Sequence, residues 1–125
     1  MNLLLDTHML LWWLGDLARL TRREREAIAD AENTVYLSAV VVWEIRIKQA
    51  LGKVRLPERF RRVVDAQPLV ELPITVAHAH AVGELPSIHR DPFDRMLVAQ
   101  ASCEGFTIVT RDPTIPGYPV SVLKA

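Results

Sequence analysis

The stretch His89-Arg-Asp-Pro-Phe-Asp-Arg sets two carboxylates, Asp91 and Asp94, at the entrance to an apolar segment that runs to Ala101. Pro92 favours the first helical position, which makes Asp91 the N-cap and puts Asp94 in the first turn. From Met96 onward the segment is almost uncharged, so the helix should be buried with only its acidic end emerging. Two roles fit these acids. Asp91 capping and Asp94 reaching back would form an aspartate version of the capping box, which is purely structural. The alternative is a site that gathers these carboxylates with others, and three further acids are placed to join them.

Asp6 ends the apolar run Asn2–Leu5, and Asp112 follows the apolar run 107–110 after one intervening arginine. Both runs read as buried parallel strands, and open α/β sheets bind ligands beyond the C-terminal ends of their strands. Asp112 before Pro113 also suits a simple turn. Glu44 lies in the second turn of a helix capped by Ser38, among Val40, Val41, Trp43, Ile45 and Ile47. It is either one half of an i,i+4 pair with Lys48, worth about 0.2–0.5 kcal/mol if exposed, or a site acid at the edge of an apolar face.

If Asp6, Glu44, Asp94 and Asp112 converge, each pair about 5 Å apart repels by roughly 3 kcal/mol at an effective dielectric of about 20. Such a cluster needs a cation or bound protons. Oxygen donors without a cysteine or histidine cage select a hard ion, Mg²⁺ or Mn²⁺, in one or two copies. Such an ion can orient a phosphodiester, acidify a bound water and stabilise the leaving oxygen. Thr7, Ser38 and Thr110 adjoin these acids and can help to place that water. His8 and His89 are near them in sequence, whereas His78 and His80, two apart, face different sides of a helix and chelate poorly together.

The elements that must carry these residues alternate between strand and helix. Strands are expected at Asn2–Leu5, Val35–Leu37, Leu69–Leu72, 107–110 and 120–123. Helices are expected from Thr7 to Leu14, from a capping box at Thr21 and Glu24 to about Glu32, from Ala39 to Leu51, from Glu58 to Ala66, from a cap at Thr75 to Val82, and from Pro92 to the glycine at 105. The charges of the second helix look largely solvated. The first helix, with Leu10, Leu11, Trp12, Trp13 and Leu14, is more apolar than one buried face needs, so its tryptophans either pack in the core or meet a partner. Alternating strands and helices imply a parallel sheet sandwiched by helices.

At 125 residues the chain is expected to form one domain, 1–125. A single cysteine, no apolar run long enough to span a membrane, and an N-terminus without a basic leader fit a reducing cytoplasm. Net charge is zero, yet Arg46, Lys48, Lys53, Arg55, Arg59, Arg61 and Arg62 stand against the single acid Glu58 within that stretch. That segment can follow a phosphate backbone or form a solvated helix face.

The apolar strand with Asp-Thr-His, the Ser-x-x-x-x-Trp-Glu-Ile segment, the His-Arg-Asp-Pro-Phe-Asp-Arg block and the Thr-Arg-Asp strand end together resemble the PIN-domain nucleases, most closely the VapC toxins of bacterial toxin–antitoxin pairs. The likeness runs from Leu3 to about Leu123 in the family's order. It implies a PIN-like three-layer α/β/α sandwich with a short central parallel sheet. Asp6, Glu44, Asp94 and Asp112 match the family's acidic quartet without a departure, and Asp91 matches an additional acid of this subgroup or is only the cap. The resemblance also implies a Mg²⁺- or Mn²⁺-dependent endoribonuclease acting on structured RNA such as tRNA or rRNA, a homodimer, and a VapB-like antitoxin that holds it inactive.

Two other classes compete with this reading. A receiver-like or dehalogenase-like phosphoaspartate module also gathers acids around Mg²⁺, but Asp6 is followed by Thr7 and His8 rather than by an Asp-x-Asp, and no lysine ends a late strand. An inert binding module would use the acids as caps and act through the first helix and the basic segment.

Overall fold

In a computed structural model describing residues 1–88 and 90–123, five parallel strands form one sheet. His89 lies outside the described residues. The elements run β1 (Asn2–Leu5), α1 (Thr7–Gly15), α2 (Arg22–Ala29), β2 (Thr34–Ser38), α3 (Ala39–Ala50), α4 (Phe60–Asp65), β3 (Val70–Leu72), α5 (Val76–Val82), α6 (Pro92–Glu104), β4 (Thr107–Val109) and β5 (Ser121–Val122). Short 3₁₀ turns occupy Leu17–Arg19 and Ile115–Gly117.

The strand order is β3-β2-β1-β4-β5. Successive residues of a strand face opposite sides, and Leu3, Leu4 and Leu5 are all fully buried, so helices cover both faces of the central strand. The result is the expected α/β sandwich. The chain steps outward from β1 to β2 and β3, then returns to the other side of β1 for β4. The switch point therefore lies between β1 and β4, where a crevice opens beyond the strand C-termini. Asp6 leaves β1 there, its amide still donating to the Val109 carbonyl at 3.2 Å.

The helix caps at Ser38, Thr21, Thr75 and Asp91 form as their residue types suggest, and Asp6, read only as a strand-end acid, caps α1 as well. Asp6 accepts from the Met9 amide at 2.9 Å, and Ser38 accepts from Val40. Thr21 with Glu24 and Thr75 with His78 make reciprocal capping boxes. Asp91 accepts from the amides of Phe93 and Asp94, and Gly105 closes α6 at φ 71°, a left-handed conformation that suits glycine.

Two expected helices are shorter than their patterns suggest. The second ends at Ala29 rather than near Glu32, because Asp30 turns to extended backbone and its side chain accepts from the Glu32 amide. The fourth starts at Phe60 rather than Glu58: the Pro57 carbonyl closes a turn onto the Phe60 amide, and Arg59 supplies no capping side chain.

The expectation that the charges of α2 are solvated fails at Glu24, which is 1 % exposed. Its carboxylate is clasped by Arg111, with Nη2 to Oε1 at 2.5 Å and Nε to Oε2 at 3.1 Å. Leu11, Trp12, Trp13 and Leu14 of α1 pack half-buried against the core. Trp12 stacks on His8 and lies beneath the guanidinium groups of Arg19 and Arg111, and Trp13 donates to Gln67 at 3.1 Å.

A line of polar side chains runs from the core at Ser38 to the surface at Glu104. Ser38 donates to Gln100 Oε1 at 2.5 Å, Gln100 donates to the Pro73 carbonyl at 3.3 Å, and His78 meets Glu104 at 2.8 Å. Among the described residues no helix is long and apolar enough to cross a membrane.

Candidate active site

The acids of the quartet are carried by four separate elements that begin or end at one edge of the sheet. Asp6 terminates β1, Asp112 follows β4, Glu44 lies in the second turn of the helix after β2, and Asp94 lies in the first turn of α6. Their surroundings differ in ways that set their chemistry.

Asp6 is 6 % exposed. One carboxylate oxygen accepts from the Met9 amide and the other from the Thr110 hydroxyl. Burial pushes its pKa above the ordinary value of 3.8. The Thr110 hydroxyl, the Met9 amide and His8 oppose the rise, while the charge of Asp112 adds to it. Asp6 and Asp112 therefore sense one another. Thr110 joins them physically, because the hydroxyl that donates to Asp6 also accepts from the Asp112 amide at 3.0 Å. Asp112 makes a turn of its own as well, with Oδ1 accepting from the Thr114 amide and hydroxyl at 2.9 and 2.7 Å. Turn chemistry and site chemistry coincide at this residue.

Glu44 is paired as its spacing suggests, but not at the surface. Its partner is the expected Lys48, at 2.6 Å, but the carboxylate is buried and its second oxygen accepts from the Thr7 hydroxyl at 2.6 Å. Thr7 belongs to α1, so this bond fastens α3 to the helix that follows Asp6. From the other side, the charges of Asp91 and Asp94 act on the Lys48 ammonium. Its pKa is raised, chiefly by the hydrogen bond to Glu44, against the effect of burial.

Of the supporting hydroxyls, Thr7 and Thr110 touch the acids and Ser38 does not: it is fully buried and spends its proton on Gln100. Asp91 acts as the helix cap, with its charge also felt at Lys48.

The basic segment is divided among several tasks. Arg46 donates to Gln49 and covers the Phe60 ring, and Arg61 pairs with Asp65 at 3.5 Å. Arg46 and Arg61 line a cleft of about 620 Å³ with Trp43, Phe60, Val64 and Leu72. Lys53 joins Lys48, Thr7 and His8 around a smaller cleft of about 270 Å³. Lys53, Arg55, Arg59 and Arg62 are exposed. The Glu24–Arg111 clasp is a feature that sequence reasoning missed. Its one visible sign was Glu24 at the third position of a capping box.

The donor set is all oxygen, and its two most intimately linked acids, Asp6 and Asp112, flank the switch point. Among the described residues no three acid, histidine or cysteine side chains stand close enough to enclose an ion by themselves.

A search of curated proteins returned no match. Among solved structures, the chain is similar to VapBC2 from Rickettsia felis bound to a promoter DNA fragment, with TM-score 0.76, 18 % identity and 98 % of each chain covered. It is also similar to VapBC from Salmonella typhimurium bound to DNA, with TM-score 0.73, 19 % identity, and 98 % of this chain and 97 % of that one covered. FitAcB from Neisseria gonorrhoeae gives TM-score 0.70 at 24 % identity, with 98 % and 96 % covered. The family model described as PIN domain matches residues 3–119, nearly the full length, and the chain belongs to the PIN domain family.

Proposed function

We propose that this protein is a metal-dependent endoribonuclease of the VapC kind, the toxin of a toxin–antitoxin pair, which cuts structured RNA such as tRNA or rRNA in the cytoplasm. The observation that carries the reading is the coupling of buried Asp6 to Asp112 through Thr110 at the switch point, with Glu44 and Asp94 brought to the same edge by α3 and α6. A shared cation relieves the mutual repulsion of such acids, whereas caps and turns alone do not require Asp6 to be buried beside another carboxylate. The family match and the toxin–antitoxin complexes among the structural neighbours support the toxin role, and the homodimer and VapB-like antitoxin belong to the same proposal.

Asp6, Asp94, Asp112 and Glu44 would hold one or two Mg²⁺ or Mn²⁺ ions. A bound ion of this kind acidifies a water and stabilises charge on a phosphodiester. The chain's own residues do the rest. Thr110 holds the Asp6 carboxylate and the backbone amide of Asp112 through one hydroxyl, Thr7 and Lys48 hold Glu44, and the Asp91 cap sets the start of α6, in whose first turn Asp94 lies. Basic side chains of the segment from Arg46 to Arg62 would meet the RNA backbone beside the acids.

Purified protein, stripped of any antitoxin, should cut total cellular RNA into discrete fragments in Mg²⁺ or Mn²⁺. Chelator or Asp94→Asn should abolish the fragments. Intact RNA under every metal condition would overturn the nuclease reading and favour an inert binding module.

RNA binding should also weaken steeply with salt. If two or three of these cations displace counterions, log K should fall against log salt with a slope of about −1.4 to −2.1 for single strands. A flat response would remove the basic segment from the interface.

A further inference from the structure

His78 stands at the third position of α5, where a capping box ordinarily carries Glu or Gln, and it is 1 % exposed. A ring nitrogen completes such a box only when it bears no proton. Nδ1 of His78 lies 3.1 Å from the Thr75 amide nitrogen, which can only donate. Gln100 brings a second donor. Its Nε2 lies 3.3 Å from the Pro73 carbonyl, which can only accept, so it is the amide nitrogen of Gln100 that faces Nδ1, at 3.4 Å. The Gln100 oxygen takes the Ser38 hydroxyl on its other side at 2.5 Å. Nε2 of His78 must then carry the proton of the ring, and it meets the Glu104 carboxylate at 2.8 Å. Each proton along Ser38–Gln100–His78–Glu104 thus has one position.

We propose that neutral His78 is a pH-sensitive latch that fastens α5 to α6, and that acid releases it. The latch rests on the fold alone and is independent of the nuclease reading. The Nε2–H donates to Glu104 in either protonation state, so a second proton is felt at Nδ1, where it would point at two donors. The Thr75 cap and the Gln100 contact are then both lost. Glu104, from α6, is the one charged side chain within hydrogen-bond reach of the ring among the described residues, and His80, the other titratable group of α5, is exposed. An ordinary imidazole takes up its second proton near about pH 6.5. α5 is also a wall: Ala79 and Val82 line a cleft of about 430 Å³ together with Trp43 of α3 and Phe93 and Met96 of α6. Release of α5 therefore loosens one side of a cleft that reaches the first turn of α6, where Asp94 lies.

Two measurements on the full-length protein test the latch. At about pH 7.5, above the ordinary imidazole range, nitrogen NMR should show Nδ1 of His78 bare and Nε2 protonated. Between about pH 7.5 and about pH 5.5, hydrogen exchange corrected for the intrinsic effect of pH should show the α5 amides losing protection by about tenfold relative to those of β1, the scale of a lost helix cap and its hydrogen bonds. His78→Gln supplies an ordinary capping-box residue with no titrating group, so its α5 should stay equally protected at both pH values. A proton on Nδ1 at the higher pH overturns the proposal. So does α5 protection that is independent of pH in wild type, or that depends on pH equally in His78→Gln. If that variant does not fold, the two wild-type results decide.

Discussion

Asp6→Asn should remove RNA cleavage by at least about a hundredfold, the lower end of what one electrostatic element of an active site contributes, and in chelator at neutral pH it should make the protein more stable. The two signs have one cause. Asp6 is buried beside Asp112, so its pKa is raised and its ionisation opposes folding. A raised acid favours the fold below its unfolded value, here the ordinary 3.8, and loses that contribution as pH climbs through the folded value. Asparagine carries no charge to desolvate, is as good an N-cap for α1, and can still meet Met9 and Thr110. The variant should therefore melt above wild type at neutral pH in chelator, and the difference should vanish in acid. Saturating metal should reverse the order. Ligand at a hundredfold over its Kd adds about 2.7 kcal/mol to wild type, and the variant lacks a ligand for it. Thermal melts with and without Mg²⁺ read all of this, and a variant less stable than wild type in chelator, or one that cuts RNA within tenfold of it, would contradict the account.

Glu24→Ala should be the most damaging single change away from the acids. Glu24 is fully enclosed, and Arg111 depends on it while also donating to the Arg19 carbonyl and resting on Trp12. The substitution removes two charge-assisted hydrogen bonds and leaves a void. Because the Arg111 side chain is 37 % exposed, solvent recovers part of the loss. A cost of about 2–3 kcal/mol remains, on the order of a 10 °C drop in Tm for a chain of this size. The pH dependence has the opposite sign to that of Asp6. Burial acts to raise the Glu24 pKa, but hydrogen bonds from Arg111 and Thr21 outweigh it and hold the group below 4.5. Its stabilisation is present above 4.5 and drains away as pH falls through the folded value, so Glu24→Gln should flatten the acid limb of the stability curve. A loss in Tm of under 2 °C for Glu24→Ala would show that the clasp is incidental. Arg111 precedes Asp112, so the clasp also bears on the site: it fixes the backbone that leaves β4.

What was legible in the sequence was local. Thr21, Ser38, Thr75 and Asp91 announce helix starts through chemistry completed within three residues, and the hydrophobic runs between them mark strands without reference to the rest of the chain. The alternation of strands and helices then places Asp6 and Asp112 at the same sheet edge before any coordinate is known. What was hidden depends on partners far away. Glu24 looked like a solvated member of a capping box because its box is local and its burial is imposed by Arg111, 87 residues later. Ser38 adjoins the acids in sequence, but its hydroxyl turns to Gln100, 62 residues away. The Glu44–Lys48 pair was legible but its burial was left open, since i,i+4 spacing says nothing about whether the pair is covered. The charge excess from Arg46 to Arg62 was visible, but not that Arg46 would lie on Phe60 or Arg61 on Asp65.

The central claim is that Asp6 and Asp112, with Glu44 and Asp94 beside them, form one centre for a hard cation. Anomalous diffraction from crystals of the protein grown in Mn²⁺ tests it most directly. The account predicts a Mn²⁺ peak within about 2.0–2.3 Å of carboxylate oxygens of Asp6 and Asp112, and loss of that peak in Asp6→Asn. Peaks confined to exposed acids elsewhere, with none at the end of β1 and β4, would contradict it.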